Sequence, residues 1–184
     1  MALETLGILG GPTWFRIGDQ DLGLHLERTR RMNEGCSLSQ ITGQFCAAFG
    51  VKVKVLPMSN DDVQTIVYTK EGELQFQEYF VRQACRPQIT GFRFDGIENA
   101  APAPGVIRAI QSADLIVFCP SNPWVSLDPI LSVSGIKRAL LDKAEIVGVS
   151  PIIGGTTLKG PAAKMYTELG ISPSALAVAN HYKD

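Results

Sequence analysis

Four clusters of polar residues carry side chains that could bind or react with a ligand. They are Asp19 with Asp21, the segment Ser59-Asn-Asp-Asp62, Ser121 with Asn122, and the segment from Ser150 to Lys159. Three of the four follow predicted strands, and the ends of strands are where open α/β sheets bind their ligands. We therefore expect several of these clusters to share one site.

The last cluster has the composition of a phosphate cradle. Gly154 and Gly155 would let backbone N–H groups approach a ligand closely, and Lys159 would add a positive charge. After Gly160, a helix that starts near Pro161 would direct its positive end toward the same loop. The Walker pattern of phosphate-binding loops is absent. An ordinary strand-to-helix turn explains these glycines about equally well.

The aspartates and histidines have simpler explanations beside the functional ones. Asp61 and its neighbour could hold Mg²⁺, which prefers one or two carboxylates plus substrate phosphates, although a solvated loop is commoner. Asp19 and Asp21 are more often a helix cap and a solvated neighbour than catalysts. His181, placed just beyond a predicted strand, is a stronger candidate than His25, which lies among leucines on a predicted helix.

Ser121 and Asn122 are held between two prolines. Pro120 and Pro123 fix the backbone on either side, so the two polar side chains are aimed in defined directions. A turn would explain the prolines, but a turn does not require Trp124 after them. A binding site and a structural scaffold are equally good interpretations of this segment.

A strand–helix–strand unit is predicted to position the later clusters. The runs 115–119 and 146–149 are apolar without polar alternation, which is typical of buried parallel strands. The segment between them suits one right-handed crossover, with a turn over 129–131 and a helix over 135–142. The loops after both strands would then lie at the same edge of the sheet.

The rest of the chain is predicted to alternate helices and strands. Helices are expected over 1–12 as a short or frayed segment, 19–33, 37–50, 74–85, 106–112 and 161–169. Strands are expected over 14–17 as a short extended piece, 51–55, 63–69, 89–95 and 174–179, the last of them buried. Two of these helices have a predicted N-terminal cap. The helix at 19–33 has an aspartate cap, and the next helix has the capping box Ser37-Leu-Ser-Gln40.

Composition favours a single α/β domain spanning 1–184. A chain of 184 residues with 45% hydrophobic content can bury one sizeable core. The net charge is −1 and the basic residues are scattered, so no nucleic-acid partner is expected. No apolar run approaches the roughly 20 residues that span a bilayer, and the first residues have no basic lead typical of a secretory signal.

The cysteines point to a reducing compartment. They show no C-x-x-C spacing, and only two histidines could complete a metal site with Cys36, Cys46, Cys85 and Cys119. Buried thiols are the expected state, so we expect a cytoplasmic protein without a membrane partner.

Five motifs, taken together, resemble the family of 2-phospho-L-lactate transferases (CofD-like) and follow the family's order over nearly all of the chain. They are Thr13-Trp-Phe-Arg-Ile-Gly-Asp-Gln-Asp-Leu-Gly-Leu-His-Leu-Glu-Arg-Thr29, Leu56-Pro-Met-Ser-Asn-Asp-Asp-Val63, Pro120-Ser-Asn-Pro-Trp-Val-Ser126, Ser150-Pro-Ile-Ile-Gly-Gly155 and Leu158-Lys-Gly-Pro-Ala162.

The resemblance implies an enzyme of coenzyme F-420 biosynthesis. Its fold would be Rossmann-like with three layers, a mostly parallel sheet and a smaller α/β portion inserted near 20–100. Such enzymes use Mg²⁺ to transfer a phospholactyl or phosphoenolpyruvyl group from a guanosine diphosphate-linked donor to the deazaflavin alcohol FO, releasing GMP.

The resemblance also ranks the candidate residues, without naming a catalytic one. Those expected to contact the donor's nucleotide and phosphates are Ser121, Asn122, Ser150, Gly154, Gly155, Lys159 and Gly160. Lower-ranked polar contributors are Asp19, Asp21, Ser59, Asp61 and His181.

The chain departs from the family pattern at both ends and at three internal positions. The family's glycine-rich nucleotide loop and its metal- and FO-binding aspartates would lie upstream of residue 1, and the family continues past the His-Tyr pair. Asn60 stands where the family usually has Asp, Asp62 where it often has Pro, and Asp128 where Gly is frequent. We therefore expect a fragment or a shortened homologue, with partial ligand binding, weak or absent transfer, and an exposed sheet edge or a homodimer contact.

Two other functions stay open at this point. One is a nucleotide- or nucleotide-sugar-binding regulator that resembles the related gluconeogenesis-factor family and performs no transfer. The other is a non-catalytic remnant that associates with another subunit. The segments Pro120-Ser-Asn-Pro123 and Lys159-Gly-Pro161 favour the transferase over the regulator.

Overall fold

The computed structural model describes residues 2–142 and 145–183. The helices are α1 Ala2–Ile8, α2 Asp19–Asn33, α3 Leu38–Ala48, α4 Val106–Ser112, α5 Asp128–Ser132, α6 Ile136–Leu141, α7 Ala162–Glu168 and α8 Ala175–His181. The strands are β1 Gln64–Thr69, β2 Gly72–Gln75, β3 Ile89–Asp95, β4 Ile116–Phe118, β5 Ile146–Gly148, β6 Ile152–Ile153 and β7 Thr156–Thr157. Short π-helical segments cover Glu78–Arg82 and Pro123–Leu127, and Ile97–Asn99 forms a 3₁₀ turn. The α/β class is confirmed.

The helices α2 and α3 are confirmed, but only α3 has the N-terminal cap that was predicted. The capping box is present, because Ser37 Oγ accepts from Gln40 N and Gln40 Oε1 accepts from Ser37 N at 2.9 Å. The predicted aspartate cap on α2 is wrong: Gly18 is the N-cap and no side chain caps it. Asp19 already lies in the helix, so its carboxylate reaches only the next backbone N–H, that of Gln20, at 2.9 Å.

A cluster of ion pairs stabilises the exposed face of α2. Glu27 accepts hydrogen bonds from Arg30 at 2.8 Å and from Arg31 at 2.7 Å, at the three- and four-residue spacings of neighbours on one helix face. These bonds, with the Arg30 bond contributing most, lower the pKa of Glu27 to about 2. The carboxylate therefore stays charged over the whole physiological range.

The first half of the chain contains a three-stranded antiparallel sheet in the order β2-β1-β3. The predicted strands at 63–69 and 89–95 are confirmed as β1 and β3. The helix predicted over 74–85 is wrong in its first residues, because the tight turn at Lys70 and Glu71 pairs Gly72–Gln75 with β1. The helical character that was expected is kept from Phe76 onward, and Glu78–Arg82 is π-helical.

The strand predicted over 51–55 is wrong. The segment is irregular and exposed, with Val53 71% accessible, and no strand in the described ranges pairs with it. Alternating valines and lysines fit a strand only where a neighbouring strand offers hydrogen bonds. The short extended piece expected at 14–17 likewise has no strand pairing.

The parallel unit is confirmed in its topology. Strand β4 pairs with β5 in parallel, with Ile116 opposite Ile146 and Phe118 opposite Gly148. The helix expected over 135–142 is α6, whereas the turn expected over 129–131 is wrong. A proline in the first turn of a helix loses no hydrogen bond, so Pro129 is accommodated inside α5.

The expected burial of β4 and β5 is wrong. Ile116 and Phe118 pack against buried residues of the helical layer, which include Val133, Ile136 and Leu140. The middle residue of each strand is half exposed: Val117 in β4 and Val147 in β5 are each 50% accessible. Among the described residues, helices cover only one face of this two-stranded sheet.

The last third of the chain ends in helices. Pro161 caps α7, and Gly170 follows its end with a φ of +78°, as predicted within one residue. The buried strand predicted over 174–179 is wrong, because the segment forms α8. Ser174 Oγ accepts from Ala177 N at 3.0 Å, and the following alanines have high helix propensity. His181 therefore lies in the last turn of a helix.

Two clusters of buried residues form the core. The larger joins the antiparallel sheet to α7 and α8, and consists of Val67, Tyr79, Ile89, Trp124, Ile152, Ala162, Met165, Tyr166 and Val178. The smaller one lies under β4 and contains Val133, Ile136 and Leu140. None of the described helices is long and apolar enough to cross a bilayer.

Candidate functional site

A cleft of about 610 Å³ lies at the carboxyl ends of β4 and β5. Phe118 and Gly148, the last residues of the two strands, line its base, and the loops that follow them contribute Ser121 and Ser150. Residues of α5, α6 and α8 form its walls. This is the position where an open parallel sheet leaves a crevice for a ligand.

Two of the predicted site residues line the cleft through their loops. The Ser150 hydroxyl accepts from Ile152 N at 3.0 Å and donates to Ile152 O at 3.1 Å, so it holds the loop after β5 in shape. The Ser121 hydroxyl forms no hydrogen bond with the part of the chain that the structure describes. Ser121 is therefore the more available of the two for a ligand.

Asp128 and His181 form a hydrogen-bonded pair on the cleft wall. His181 Nε2 lies 2.9 Å from Asp128 Oδ1 and 3.0 Å from Oδ2, which links the start of α5 to the end of α8. The imidazole also packs against the Trp124 ring in a T-shaped arrangement, with ring centroids 5.3 Å apart. Both side chains are about one-fifth exposed, at 20% and 23%. Sequence reasoning ranked His181 low and gave Asp128 no role, because their proximity depends on the packing of α8.

Two buried tyrosine hydroxyls lie near this pair. Tyr166 and Tyr182 have no hydrogen-bond partner for their hydroxyl oxygens among the residues described. Burial, reinforced by the negative charge of Asp128, raises the pKa of Tyr166 to about 12 and also raises the pKa of Tyr182. Both hydroxyls consequently remain protonated donors at neutral pH.

Lys137 and Lys183 give the cleft a positive charge. Lys137 projects from α6 and Lys183 follows α8, and both are exposed side chains on the cleft wall. Neither ammonium has a carboxylate partner within the described ranges, whereas the nearby Asp128 is paired with His181. This arrangement favours an anionic ligand. Neither lysine has a motif around it, so the sequence alone offered no signal for either.

Asn122 is engaged in structural contacts. Its Oδ1 accepts from Trp124 N at 3.1 Å, and its Nδ2 lies 3.1 Å from the Met165 sulfur. Trp124 is 9% exposed and packs against Tyr166, with ring centroids 4.4 Å apart. Of the two explanations for the Pro-Ser-Asn-Pro-Trp segment, the scaffold fits Asn122 and the binding site fits Ser121.

The predicted phosphate cradle forms a β-hairpin outside the cleft. Gly154 and Gly155 are the two turn residues between β6 and β7, with φ of +57° and +79°. A two-residue hairpin turn with positive φ at both positions strongly favours glycine, so the turn itself explains these residues. Lys159 and Gly160 are exposed and do not line the cleft. Helix α7 behind them has only seven residues.

Ser59 and Asp61 form a structural clasp. Asp61 Oδ2 accepts from Ala101 N at 2.9 Å, and Ser59 Oγ lies 2.6 Å from Ala101 O. The Ala101 bond, followed by the bond from Ser59, lowers the pKa of Asp61. The clasp joins the loop before β1 to the proline-rich connector and lies outside the cleft.

Asp19 and Asp21 are exposed at the start of α2 and also lie outside the main cleft. Asp21 lines a smaller cleft of about 270 Å³ between α2 and α3, beside His25. The four polar clusters therefore do not converge on one site. Only the loops after β4 and β5, and His181, meet there.

The described residues do not provide a magnesium site by themselves. Among them, no three carboxylate, histidine or cysteine side chains are grouped closely enough to hold a metal ion. Asp61 is occupied by the backbone of Ala101, and Asp128 by His181.

Two curated proteins are similar to this chain over nearly all of its length. The chain is 43% identical to the phosphoenolpyruvate transferase of Streptomyces griseus, over 97% of this chain and 58% of that protein. It is 37% identical to the 2-phospho-L-lactate transferase of Methanosarcina mazei, over 99% of this chain and 59% of that protein. The chain thus spans little more than half the length of these curated relatives.

A solved structure is similar in fold. A crystal structure of a UPF0052 family protein from Bacillus halodurans superposes with a TM-score of 0.51 and 22% sequence identity. The match covers 61% of this chain and 36% of that protein.

The family assignment follows from the sequence match. The family model described as 2-phospho-L-lactate transferase CofD matches residues 12–182. This range includes every residue that lines the cleft except Lys183. The chain belongs to the 2-phospho-L-lactate transferase CofD family.

Proposed function

We propose that the chain takes part in the transfer of a phospholactyl or phosphoenolpyruvyl group from a guanosine diphosphate-linked donor to the deazaflavin FO, with release of GMP, in coenzyme F-420 biosynthesis. The observation that carries this proposal is the cleft at the ends of β4 and β5, in a chain that the CofD family model matches over residues 12–182. The names of the relatives favour transfer of one of these two groups.

The charge and size of the cleft suit the donor's diphosphate. Lys137 and Lys183 would neutralise phosphate oxygens, and the Ser121 hydroxyl is available to donate a hydrogen bond to them. A volume of about 610 Å³ falls in the range that accommodates a small-molecule ligand. Apolar wall residues such as Leu131 and Leu140 would cover the donor's less polar parts.

The chemistry needs little covalent help from the protein. The FO hydroxyl attacks the phosphorus of the phospholactyl or phosphoenolpyruvyl group, the bond from that phosphorus to the GMP oxygen breaks, and the hydroxyl proton is lost to a base. The chain contributes by positioning both reactants and neutralising charge. We also propose a requirement for Mg²⁺ bound to the donor's phosphates. None of its ligands is assigned to the described residues.

The regulator remains the weaker candidate. The likeness to the UPF0052 family protein concerns the fold alone, because only 22% of the aligned residues are identical. Transferases of both named kinds are considerably more similar, at 43% and 37% identity.

Calorimetric titration with GDP tests the proposal, with and without Mg²⁺, and with UDP-N-acetylglucosamine as the competing ligand class. We expect selective GDP binding that is tighter with Mg²⁺. Lys137→Ala and Lys183→Ala should each weaken binding by about fivefold, which corresponds to about 1 kcal/mol for a partly screened charge contact.

Lys70→Ala is the matched control, since Lys70 is exposed in the turn before β2 and does not line the cleft. It should leave the GDP affinity unchanged. Equal loss in all three variants would show that net charge, and not the cleft, determines binding. Preference for UDP-N-acetylglucosamine would favour the regulator.

A further inference from the structure

The proposed transfer requires a group that takes the proton of the attacking hydroxyl. We propose that Asp128 is a positioning residue that holds the His181 imidazole as this proton acceptor, an inference that rests on the proposed function. Two side chains from separate helices meet here in the wall of the cleft.

The contact geometry fixes which ring nitrogen carries hydrogen. His181 Nε2 lies 2.9 Å and 3.0 Å from the two oxygens of Asp128, and a carboxylate can only accept a hydrogen bond. Nε2 must therefore carry the proton, and the lone pair of the neutral ring is left on Nδ1. No described residue forms a hydrogen bond with Nδ1.

The surroundings restrain the ring without competing for Nδ1. The imidazole makes T-shaped contacts with the rings of Trp124 and Tyr182, with ring centroids 5.3 Å and 5.0 Å apart. The other titratable groups around the pair are the hydroxyls of Tyr166 and Tyr182 and, on the cleft wall, the ammonium groups of Lys137 and Lys183. None of these can replace Asp128 as the anionic partner of Nε2.

The acceptor's hydroxyl oxygen forms a bond to phosphorus, the bond between phosphorus and the GMP oxygen breaks, and the hydroxyl proton moves to His181 Nδ1. The Asp128 carboxylate, at 2.9 Å, stabilises the imidazolium that results. The ring returns its proton to solvent after the products leave.

A purely structural role is the competing explanation, since the pair also ties α5 to α8. Asp128→Asn separates the two roles. The asparagine keeps the size of the side chain and can still bond to the ring, but its amide can donate to Nε2 and thereby move the ring proton to Nδ1. A structural tie would survive this change, whereas a proton acceptor on Nδ1 would be lost.

Steady-state transfer from the guanosine diphosphate-linked donor to FO, measured across pH, is the first test. Asp128→Asn and His181→Gln should each lower kcat by about 100-fold, as expected for loss of general-base catalysis, and leave KM within about threefold. Asp128→Glu should restore part of kcat. The double variant should be no worse than either single one, because the two residues act as a unit.

Asp114→Asn is the matched control, since Asp114 is exposed before β4 and does not line the cleft. If the wild-type chain transfers and His181→Gln keeps more than about a tenth of kcat, the inference is overturned while the proposed function stands. If the wild-type chain neither transfers nor binds the donor, the proposed function fails first.

Nitrogen-15 NMR of the histidine rings tests the positioning without any substrate. The chain has two histidines, so His25 serves as an internal reference for His181. We expect the Nε2–H tautomer for His181 in the wild type and its loss in Asp128→Asn, with His25 unchanged. A wild-type His181 in the Nδ1–H tautomer would overturn the inference, whatever the activity.

Discussion

Replacing Tyr166 by phenylalanine is expected to stabilise the chain, although this residue is among the most deeply buried. The Tyr166 ring is completely inaccessible and lies 4.4 Å from the ring of Trp124, between centroids. Its hydroxyl, however, has no hydrogen-bond partner among the described residues. Phenylalanine keeps the ring contacts and removes only this hydroxyl.

The magnitude follows from the desolvation of one hydroxyl. A buried polar group without a partner costs about 1–3 kcal/mol, and the space left by one oxygen atom cancels part of the gain. We therefore expect Tyr166→Phe to raise the free energy of unfolding by about 1 kcal/mol. For a chain of this size, that raises Tm by about 2–4 °C.

Tyr79→Phe is the matched control. The Tyr79 ring is also completely buried, but its hydroxyl donates to Cys85 O at 3.5 Å and accepts from Lys164 Nζ at 3.5 Å. Removing these two long bonds should lower the free energy of unfolding by about 0.5–1 kcal/mol. The same substitution thus has opposite signs at the two positions.

Urea unfolding followed by circular dichroism measures both differences, provided that the m values stay equal. If Tyr166→Phe loses as much stability as Tyr79→Phe, the Tyr166 hydroxyl has a partner and the reasoning is refuted. Repeating the measurement with Tyr182→Phe, whose hydroxyl is also without a described partner, shows whether both hydroxyls behave alike.

Two further substitutions test local features. Asp61→Asn should lower stability at neutral pH. The folded-state pKa of Asp61 is lowered from its usual 3.8, so the carboxylate's contribution is present above that pH and is lost as pH falls through the folded value. Urea unfolding at pH 7 and at pH 2 should therefore show a difference that shrinks in acid, and a constant difference would contradict the clasp. Gly154→Ala should cost about 1 kcal/mol because φ is +57°, whereas Gly43→Ala, in open space within α3, should stabilise by about 0.5–1 kcal/mol. Equal thermal shifts for the two glycine variants would contradict the hairpin turn.

Local signals predicted the elements that depend on neighbours in sequence. The Ser37 capping box determines where α3 begins, and its hydrogen bonds close within four residues. The pairing of β4 with β5 could be predicted because two apolar runs separated by a crossover have few other arrangements.

The errors arose where a distant neighbour decides the structure. Residues 51–55 have the alternation of a strand but no pairing strand in the described ranges. The segment 174–179 is apolar enough for a buried strand, yet Ser174 and the alanines start a helix that packs Val178 into the core. Apolar content alone does not distinguish a short buried strand from a short helix.

The candidate site was predictable in position but only partly in composition. Ser121 and Ser150 follow the two parallel strands, so the rule for strand ends located the cleft. Lys137 and Asp128 lie in the crossover, where no local pattern shows which side chains face a cleft that α8 closes. The remaining predicted binding residues, Gly154, Gly155, Lys159 and Gly160, stay predictions, and the structure places them in and after a hairpin turn.

Helix α8 makes the cleft depend on a small and separable element. It has seven residues, too few to be helical in isolation, and is held in place largely by buried Val178 and by the His181–Asp128 bond. Opening of this helix would remove one wall of the cleft. Ligand occupancy and backbone amide exchange in α8 are therefore thermodynamically linked. At saturating ligand, the factor by which the ligand slows exchange in α8 equals the factor by which its affinity falls when the helix is frayed.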